Sequence, residues 1–443
     1  MNVILLVISV GLFCFAPQNY SFIFCSLCLG VFLLGAYFVL HKDIHRMGLL
    51  NFNMLFLLSF FLCSYAFPVF MYPTGFTGIV GVLVDDTLIN VCTAMCTVAG
   101  SCYFLGYDNK KIKFKQAVKT DYPSKSFRNT AGILFYIFLV FISVVLVGFI
   151  RTEHEVSIEV TATPFAFLLF EICLAILLVV NSYYVGSKTF LKFYNINKVP
   201  LIASLIVILV FLFIGDRKPI IEIGIIIITS LSLFYKKIKS RYLLVLLFVA
   251  AALMAMIGLT RTSSSSIREG GLSSFVEANR EVIGDESTTV WSFFSDLTER
   301  YEELYQGYEY VGSYGNQYPL RIIPLLLSPL PLAPNVASEL IYDKPLFETA
   351  PGAIIGRFWD VHAGTHCVVD IYVPWGLLGV IILFLLFGRL ISYITQYRDC
   401  NIYYKTIYII VVSQAVFMPR GSLFDIYRPI VWAVFIIYFS KKK

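Results

Sequence analysis

The chain has 443 residues, 58% hydrophobic and only 14% charged, with a mean hydropathy of +0.79; this excludes a soluble globular protein and describes a chain that crosses a bilayer many times. Its formal net charge of +6 gives no support to nucleic-acid binding, because in a membrane protein Lys and Arg report topology before they report partners. Cys14, Cys25, Cys28, Cys63, Cys92, Cys96, Cys102 and Cys173 lie in apolar runs, so a disulfide framework is not expected.

A helix needs about 20 apolar residues to cross about 30 Å of hydrocarbon. Twelve runs approach that size: 3–16, 21–40, 47–70, 88–105, 131–150, 164–185, 201–214, 219–234, 243–259, 371–391, 407–418 and 424–439. The first has no Lys or Arg ahead of it and no small-residue cleavage site before Asn19, and is read as a retained span rather than a signal peptide. Alternate connections at 41–46, 107–128, 188–198, 236–241 and 389–405, with the tail at 441–443, hold 22 of the 34 Lys and Arg. The positive-inside rule puts these connections and both termini in the cytoplasm.

The expected fold is therefore all-α and polytopic, with nine transmembrane helices over 1–261, three over 371–443, and an exterior domain over 262–370 between helices nine and ten. That segment is too long for a linker and acidic, with six Lys and Arg against 15 Asp and Glu. Acidic and aromatic residues recur on helical spacing over 286–305. The run 325–332 is apolar but too short to span, and is expected to form a half-buried hairpin lying on or dipping into the membrane. No internal repeat and no G-x-x-x-x-G-K loop occurs, which disfavours an ATP-driven machine.

Ionisable residues at the exterior boundary are costly, so each is a functional candidate. Gly215-Asp216-Arg217-Lys218-Pro219 forms a turn before span eight, whose first-turn amides and Pro219 suit an anion. Ser422 and Asp425 match an S-x-x-D capping box at the start of span twelve, flanked by Arg420 and Arg428. Arginines at two exterior helix starts are suited to gripping a diphosphate bidentately without a metal. A third cluster runs from Arg357 through Asp360, His362 and His366 to Asp370 and Tyr372, and offers general bases for a hydroxyl. Arg261, and Arg151 with Glu153 and His154, form smaller clusters; Glu171 inside span six requires a polar cavity or an ion pair. An interfacial cation can equally snorkel to headgroups, and Arg428 can pair with Asp425 three residues earlier. A zinc site at His362 and His366 is disfavoured, because Ala363 stands where H-E-x-x-H has its Glu.

About twelve spans, a large late exterior loop, Gly215-Asp216-Arg217, the run from Gly364-Thr365-His366 through Asp370-Ile371-Tyr372 to Trp375-Gly376-Leu377-Leu378-Gly379, and Pro419-Arg420-Gly421 with Arg428 together resemble the O-antigen polymerases of the Wzy type, and more distantly the O-antigen ligases. The resemblance implies a glycosyltransferase of the bacterial inner membrane. It would join undecaprenyl-diphosphate-linked repeat units, donor and acceptor, at the periplasmic face, alongside flippase and chain-length regulator proteins of the same pathway. Arg217, Lys218, Arg261, Arg357, Arg420 and Arg428 would then hold the diphosphate, and one of His366, His362, Asp360 and Asp370 would take the acceptor's proton. Neither a metal nor another cofactor is implied. The chain departs from the ligases in having Thr365-His366-Cys367 in place of a His-Asn pair. A lipid-linked oligosaccharide flippase or transporter is the alternative from another class, but it has no use for so large an exterior loop.

Overall fold

Helix starts are set locally by side chains that accept the first free amides. Ser21 Oγ accepts from Phe24 N at 3.3 Å, Asn51 Oδ1 from Met54 N at 3.0 Å and Asn401 Oδ1 from Tyr404 N at 2.9 Å. At Gly48 the chain leaves a helix with φ 89°, while its amide still bonds Ile44 O at 2.9 Å.

A computed structural model describes residues 2–75, 86–107, 125–151, 162–185, 190–214, 217–234, 295–330, 332–359 and 365–441. The helices are α1 (Asn2–Cys14), α2 (Phe22–Met47), α3 (Phe52–Ser64), α4 (Asp86–Tyr107), α5 (Lys125–Arg151), α6 (Ala162–Val185), α7 (Phe190–Ile196), α8 (Lys198–Ile214) and α9 (Arg217–Phe234). They continue as α10 (Ser295–Tyr314), α11 (Ile322–Leu326), α12 (Ala333–Tyr342), α13 (Pro351–Trp359), α14 (Cys367–Tyr397), α15 (Ile402–Gln414) and α16 (Tyr427–Lys441). No strand occurs among the described residues. Five segments are long and apolar enough to cross a membrane: Phe22–Met47, Phe52–Thr74, Asp86–Tyr107, Phe165–Tyr183 and Cys367–Tyr397. Eleven of the twelve expected runs coincide with helices, several of them shorter than a full span; the run 243–259 lies outside the described residues.

Several boundaries differ from the sequence reading, each for a local reason. The third run starts at Phe52, where Asn51 caps it, and is interrupted after Ser64 by a wide turn at Phe67–Met71. Pro68 in that turn has no amide to continue the α-helical ladder. The tenth extends to Cys367–Tyr397 and kinks at Pro374, with Gly376 at φ 61°. The kink is capped from outside: Asn316 Nδ2 bonds Tyr372 O (3.0 Å) and Val373 O (3.1 Å), and Gln317 N also reaches Val373 O (3.1 Å). The acidic, aromatic helix expected over 286–305 is α10, with 286–294 outside the described residues. Of the apolar run 325–332, Leu325 and Leu326 end α11 and a turn follows over 327–330; this segment and α12 expose Leu326, Leu330, Leu332, Val336 and Leu340. Such an amphipathic surface suits a segment resting on a bilayer.

Side chains pack into two cores. One joins α1–α4, α10 and α14; the other joins α5, α6, α8 and α16, and α9 and α15 contribute residues to both. Polar side chains fasten the first core: Tyr301 OH on α10 bonds Ile89 O and Thr93 Oγ1 on α4, both at 2.7 Å. Interhelical hydrogen bonds and small residues do this work where lipid removes the hydrophobic drive between helices. At the crossing of α4 and α14 a Cβ on Gly106 would run into the Leu385 carbonyl, and one on Gly388 into the Tyr103 carbonyl. Gly106→Leu and Gly388→Leu are therefore expected to destabilise the purified protein by about 1–3 kcal/mol or more, whereas Gly132→Leu, at an open position, leaves the thermal midpoint in detergent unchanged.

Candidate active site

The site is built where three chain segments meet at the ends of α3, α14 and α16. His366 caps α14, its Nδ1 accepting from Val368 N at 3.2 Å. That bond assigns the proton to Nε2, which faces Ser64 Oγ at the end of α3 at 3.1 Å. His366 is fully buried, and burial, with the Arg300 guanidinium as a smaller cause, pushes it down to about 3, so it is neutral at ordinary pH.

One turn on, Asp370 points a carboxylate into the amide end of α14, where the helix dipole favours negative charge. Both of its oxygens are engaged. Oδ1 accepts from Arg321 Nη1 at 2.8 Å, and Oδ2 accepts from Ser422 Oγ. The Arg321 and Asp370 side chains are only 6% and 3% exposed. Arg321 is delivered by the tight turn Pro319–Arg321, which Trp375 Nε1 fixes by bonding Pro319 O at 2.6 Å.

Ser422 is also the cap of the turn Leu423–Ile426 that leads into α16. Its Oγ accepts from Phe424 N at 3.1 Å while Asp425 Oδ2 accepts from Ser422 N at 3.3 Å, the reciprocal box its sequence spacing indicates. Arg428 does not depend on Asp425 for its position. Its Nε donates to Ser328 O at 2.9 Å in the turn after α11, and Trp432 Nε1, one turn on, donates to Pro329 O at 2.9 Å. Nη1 and Nη2 of Arg428 hold no hydrogen bond among the described residues.

Further cations gather around this turn. Arg300 pairs with Glu303 on α10, and Arg300 and Arg420 both lie within electrostatic reach of Cys63 at the end of α3. Lys218, in the first turn of α9, lies 5.9 Å from the Phe417 ring centroid, 3.8 Å from Glu222 and within electrostatic reach of Asp425. Behind it, Glu222 on α9 meets the Glu171 carboxyl group on α6. The polar partner that Glu171 requires inside an apolar helix is thus a second carboxyl group.

Asp370 and Lys218 therefore meet the segment 417–428, which itself carries Arg420 and Arg428, while His366 sits one turn before Asp370 against Ser64. Arg217 opens α9 beside Lys218. Arg357 instead forms a half-exposed pair with Glu348 at 2.9 Å on α13. Asp360, His362 and Arg261 lie outside the described residues, as do Asp216, Glu153 and His154. Sequence reading missed Arg300, Arg321 and Ser64. For Arg321 a signal existed, since it is a lone charge within the apolar run Pro319-Leu320-Arg321-Ile322-Ile323-Pro324. Arg321→Met leaves Asp370 buried without its counter-charge, and is expected to cost about 3–5 kcal/mol. Ser422→Ala removes two hydrogen bonds, the one given to Asp370 and the one accepted from Phe424 N, and is expected to cost about 1–3 kcal/mol, the two variants being compared by thermal unfolding in detergent.

The all-helical, membrane-spanning architecture accords with a comparison across protein families. The profile of the O-antigen polysaccharide polymerase Wzy family matches residues 1–440. No curated protein and no solved structure matches the chain. With a family match over essentially its whole length and apolar helices long enough to cross a membrane, the chain belongs to the O-antigen polysaccharide polymerase Wzy family, a family of membrane-bound, polymerising glycosyltransferase-type enzymes.

Proposed function

We propose that this polymerase transfers a growing glycan from undecaprenyl diphosphate to the non-reducing end of a second lipid-linked repeat unit, at the periplasmic face of the bacterial inner membrane. The acceptor hydroxyl oxygen attacks the anomeric carbon of the donor, the bond from that carbon to the diphosphate oxygen breaks, and the hydroxyl proton passes to a base. The lipid diphosphate leaves with the bonding electron pair. Its growing negative charge is what the site must stabilise.

The observation that carries this reading is Arg428. Its Nε is fixed on the Ser328 carbonyl, while the Nη pair is left as an oriented two-pronged donor beside the capped start of α16. A planar guanidinium held in this way matches two phosphate oxygens without paying for its own ordering. Arg420 and Lys218 supply further positive charge around the same turn, with Arg217 beside Lys218. These cations take the part that a metal plays in other diphosphate-dependent transferases, and the sugar to diphosphate bond supplies the driving force. The exterior hairpin 325–332 closes over the arginine through its own carbonyls, which supports a site between the exterior segment and α16.

For the proton acceptor we favour His362 or Asp360. Asp370 has both oxygens in hydrogen bonds, and His366 uses Nδ1 as a helix cap and Nε2 toward Ser64. On this reading those two residues hold the start of α14 in place.

Purified protein given its cognate undecaprenyl-diphosphate repeat unit, with EDTA and without nucleotide sugar, is expected to produce a glycan ladder on a gel. Arg428→Ala is expected to slow ladder formation about a hundredfold or more while remaining folded. An undiminished ladder from the variant removes Arg428 from the site, and lipid-linked substrate crossing vesicles with no ladder identifies a flippase. In the same assay His362→Ala or Asp360→Asn is expected to lose at least about a hundredfold. His366→Asn, whose amide oxygen can still accept the Val368 amide, is expected to stay within about tenfold of wild type.

A further inference from the structure

The ends of α2, α4 and α14 remote from the candidate active site enclose a cavity of about 150 Å³. His366 and Gln396 lie at opposite ends of α14, so the two sites are separated by about 45 Å at about 1.5 Å of rise per residue. Nothing in the proposed transfer uses this second site.

Its lining is amphiphilic in a particular order. Phe38 and Val39 of α2 form the wall nearer the middle of the span, and Lys42 and Arg46, one and two turns on, stand at the mouth. From α14 come Ser392, Thr395 and Gln396, with Gln396 Nε2 bonded to Ser392 Oγ at 3.0 Å. The one carboxylate in the lining, Asp43, is buried and turned to internal donors. It accepts from Tyr107 OH at 3.0 and 2.8 Å and from Asn53 Nδ2. The lining thus holds two cations against one carboxylate, with Arg46 within electrostatic reach of Asp43 and Asp399. The cavity has room for several water-sized groups, at about 10–15 Å³ each. Exposed Leu33, Leu34 and Tyr37 lie about one to two and a half turns before Lys42 on the same apolar helix.

We propose that this cavity binds the phosphate of an anionic membrane phospholipid, with Lys42 and Arg46 contacting the phosphate, the α14 hydroxyl and amide groups contacting the headgroup, and the acyl chains lying along Leu33, Leu34 and Tyr37. Cations at the end of a span attract anionic headgroups, and the apolar path beside them distinguishes a lipid from a soluble anion. Free phosphate offers the same recognised group without that path.

The test is native mass spectrometry of the delipidated full-length protein in detergent, titrated separately with phosphatidylglycerol, phosphatidylcholine, diacylglycerol and inorganic phosphate. The expected result is one saturable phosphatidylglycerol adduct, about tenfold tighter than phosphatidylcholine, with no specific diacylglycerol adduct. That preference is expected to vanish in Lys42→Gln/Arg46→Gln, and in Gln396→Glu, which places a carboxylate in the cavity. Lys192→Gln, an exposed cation on α7, is expected to retain it. Equal binding of phosphatidylglycerol and diacylglycerol, or undiminished preference in both cavity variants, overturns the proposal. A variant-sensitive adduct with inorganic phosphate and none with phosphatidylglycerol overturns the lipid source.

Discussion

Arg321 and Asp370 form an ion pair shielded from solvent, and Ser422 completes it by donating to the second carboxylate oxygen. Three segments that share no local sequence relation meet in those few atoms: the turn at Pro319–Arg321, the first helical turn of α14 and the cap that launches α16. A buried pair of this kind contributes little net stability over an apolar substitute, but loss of either partner leaves a charge without compensation. Its consequence is specificity of arrangement. The segment 295–330 has one register on α14, and the cap that starts α16 takes its place from it.

The kink in α14 serves the same end. The non-helical break at Gly376 frees the carbonyls of Tyr372 and Val373, and Asn316 and Gln317, just after α10, take them up. A defect in the helix thereby becomes an attachment point, because a backbone carbonyl without a partner near lipid is expensive. Trp375 adds a bond to Pro319 and so ties the kink to the turn that carries Arg321. Farther along α14 the fit is made by Gly388, which with Gly106 brings two helix backbones into direct contact. One helix thus carries the kink that seats the exterior segment, the residues that anchor the site and the crossing that fixes it to α4.

The carboxyl groups divide by environment. Asp370 is neutralised by a guanidinium, whereas Glu171 and Glu222 lie deep between α6 and α9 and bond to each other, with Lys218 beside Glu222. Each arrangement gives a carboxyl group a polar neighbour in an apolar interior, where an isolated one is costly. Lys218 connects the carboxyl pair to the segment around Phe417 and Asp425.

Hydrophobic runs and their punctuation were enough to identify a membrane protein made of helices, and the S-x-x-D spacing at Ser422 located a cap the structure contains. Those features are local: a run of apolar residues or a capping residue acts on its own segment, and period and composition carry the signal. The short motifs from His366 to Gly379 and around Arg420 also pointed to the family. Partner choice was not legible. Arg428 meets Ser328 at a separation of 100 residues, His366 meets Ser64 at 302, and Asp370 finds Arg321 at 49. Sequence alone therefore determined which residues are charged at helix ends, while tertiary structure decided which become anchors and which keep donors for a ligand. The physical reason is that a hydrogen bond needs its partners within about 3 Å, and only the packing of remote helices brings such pairs together.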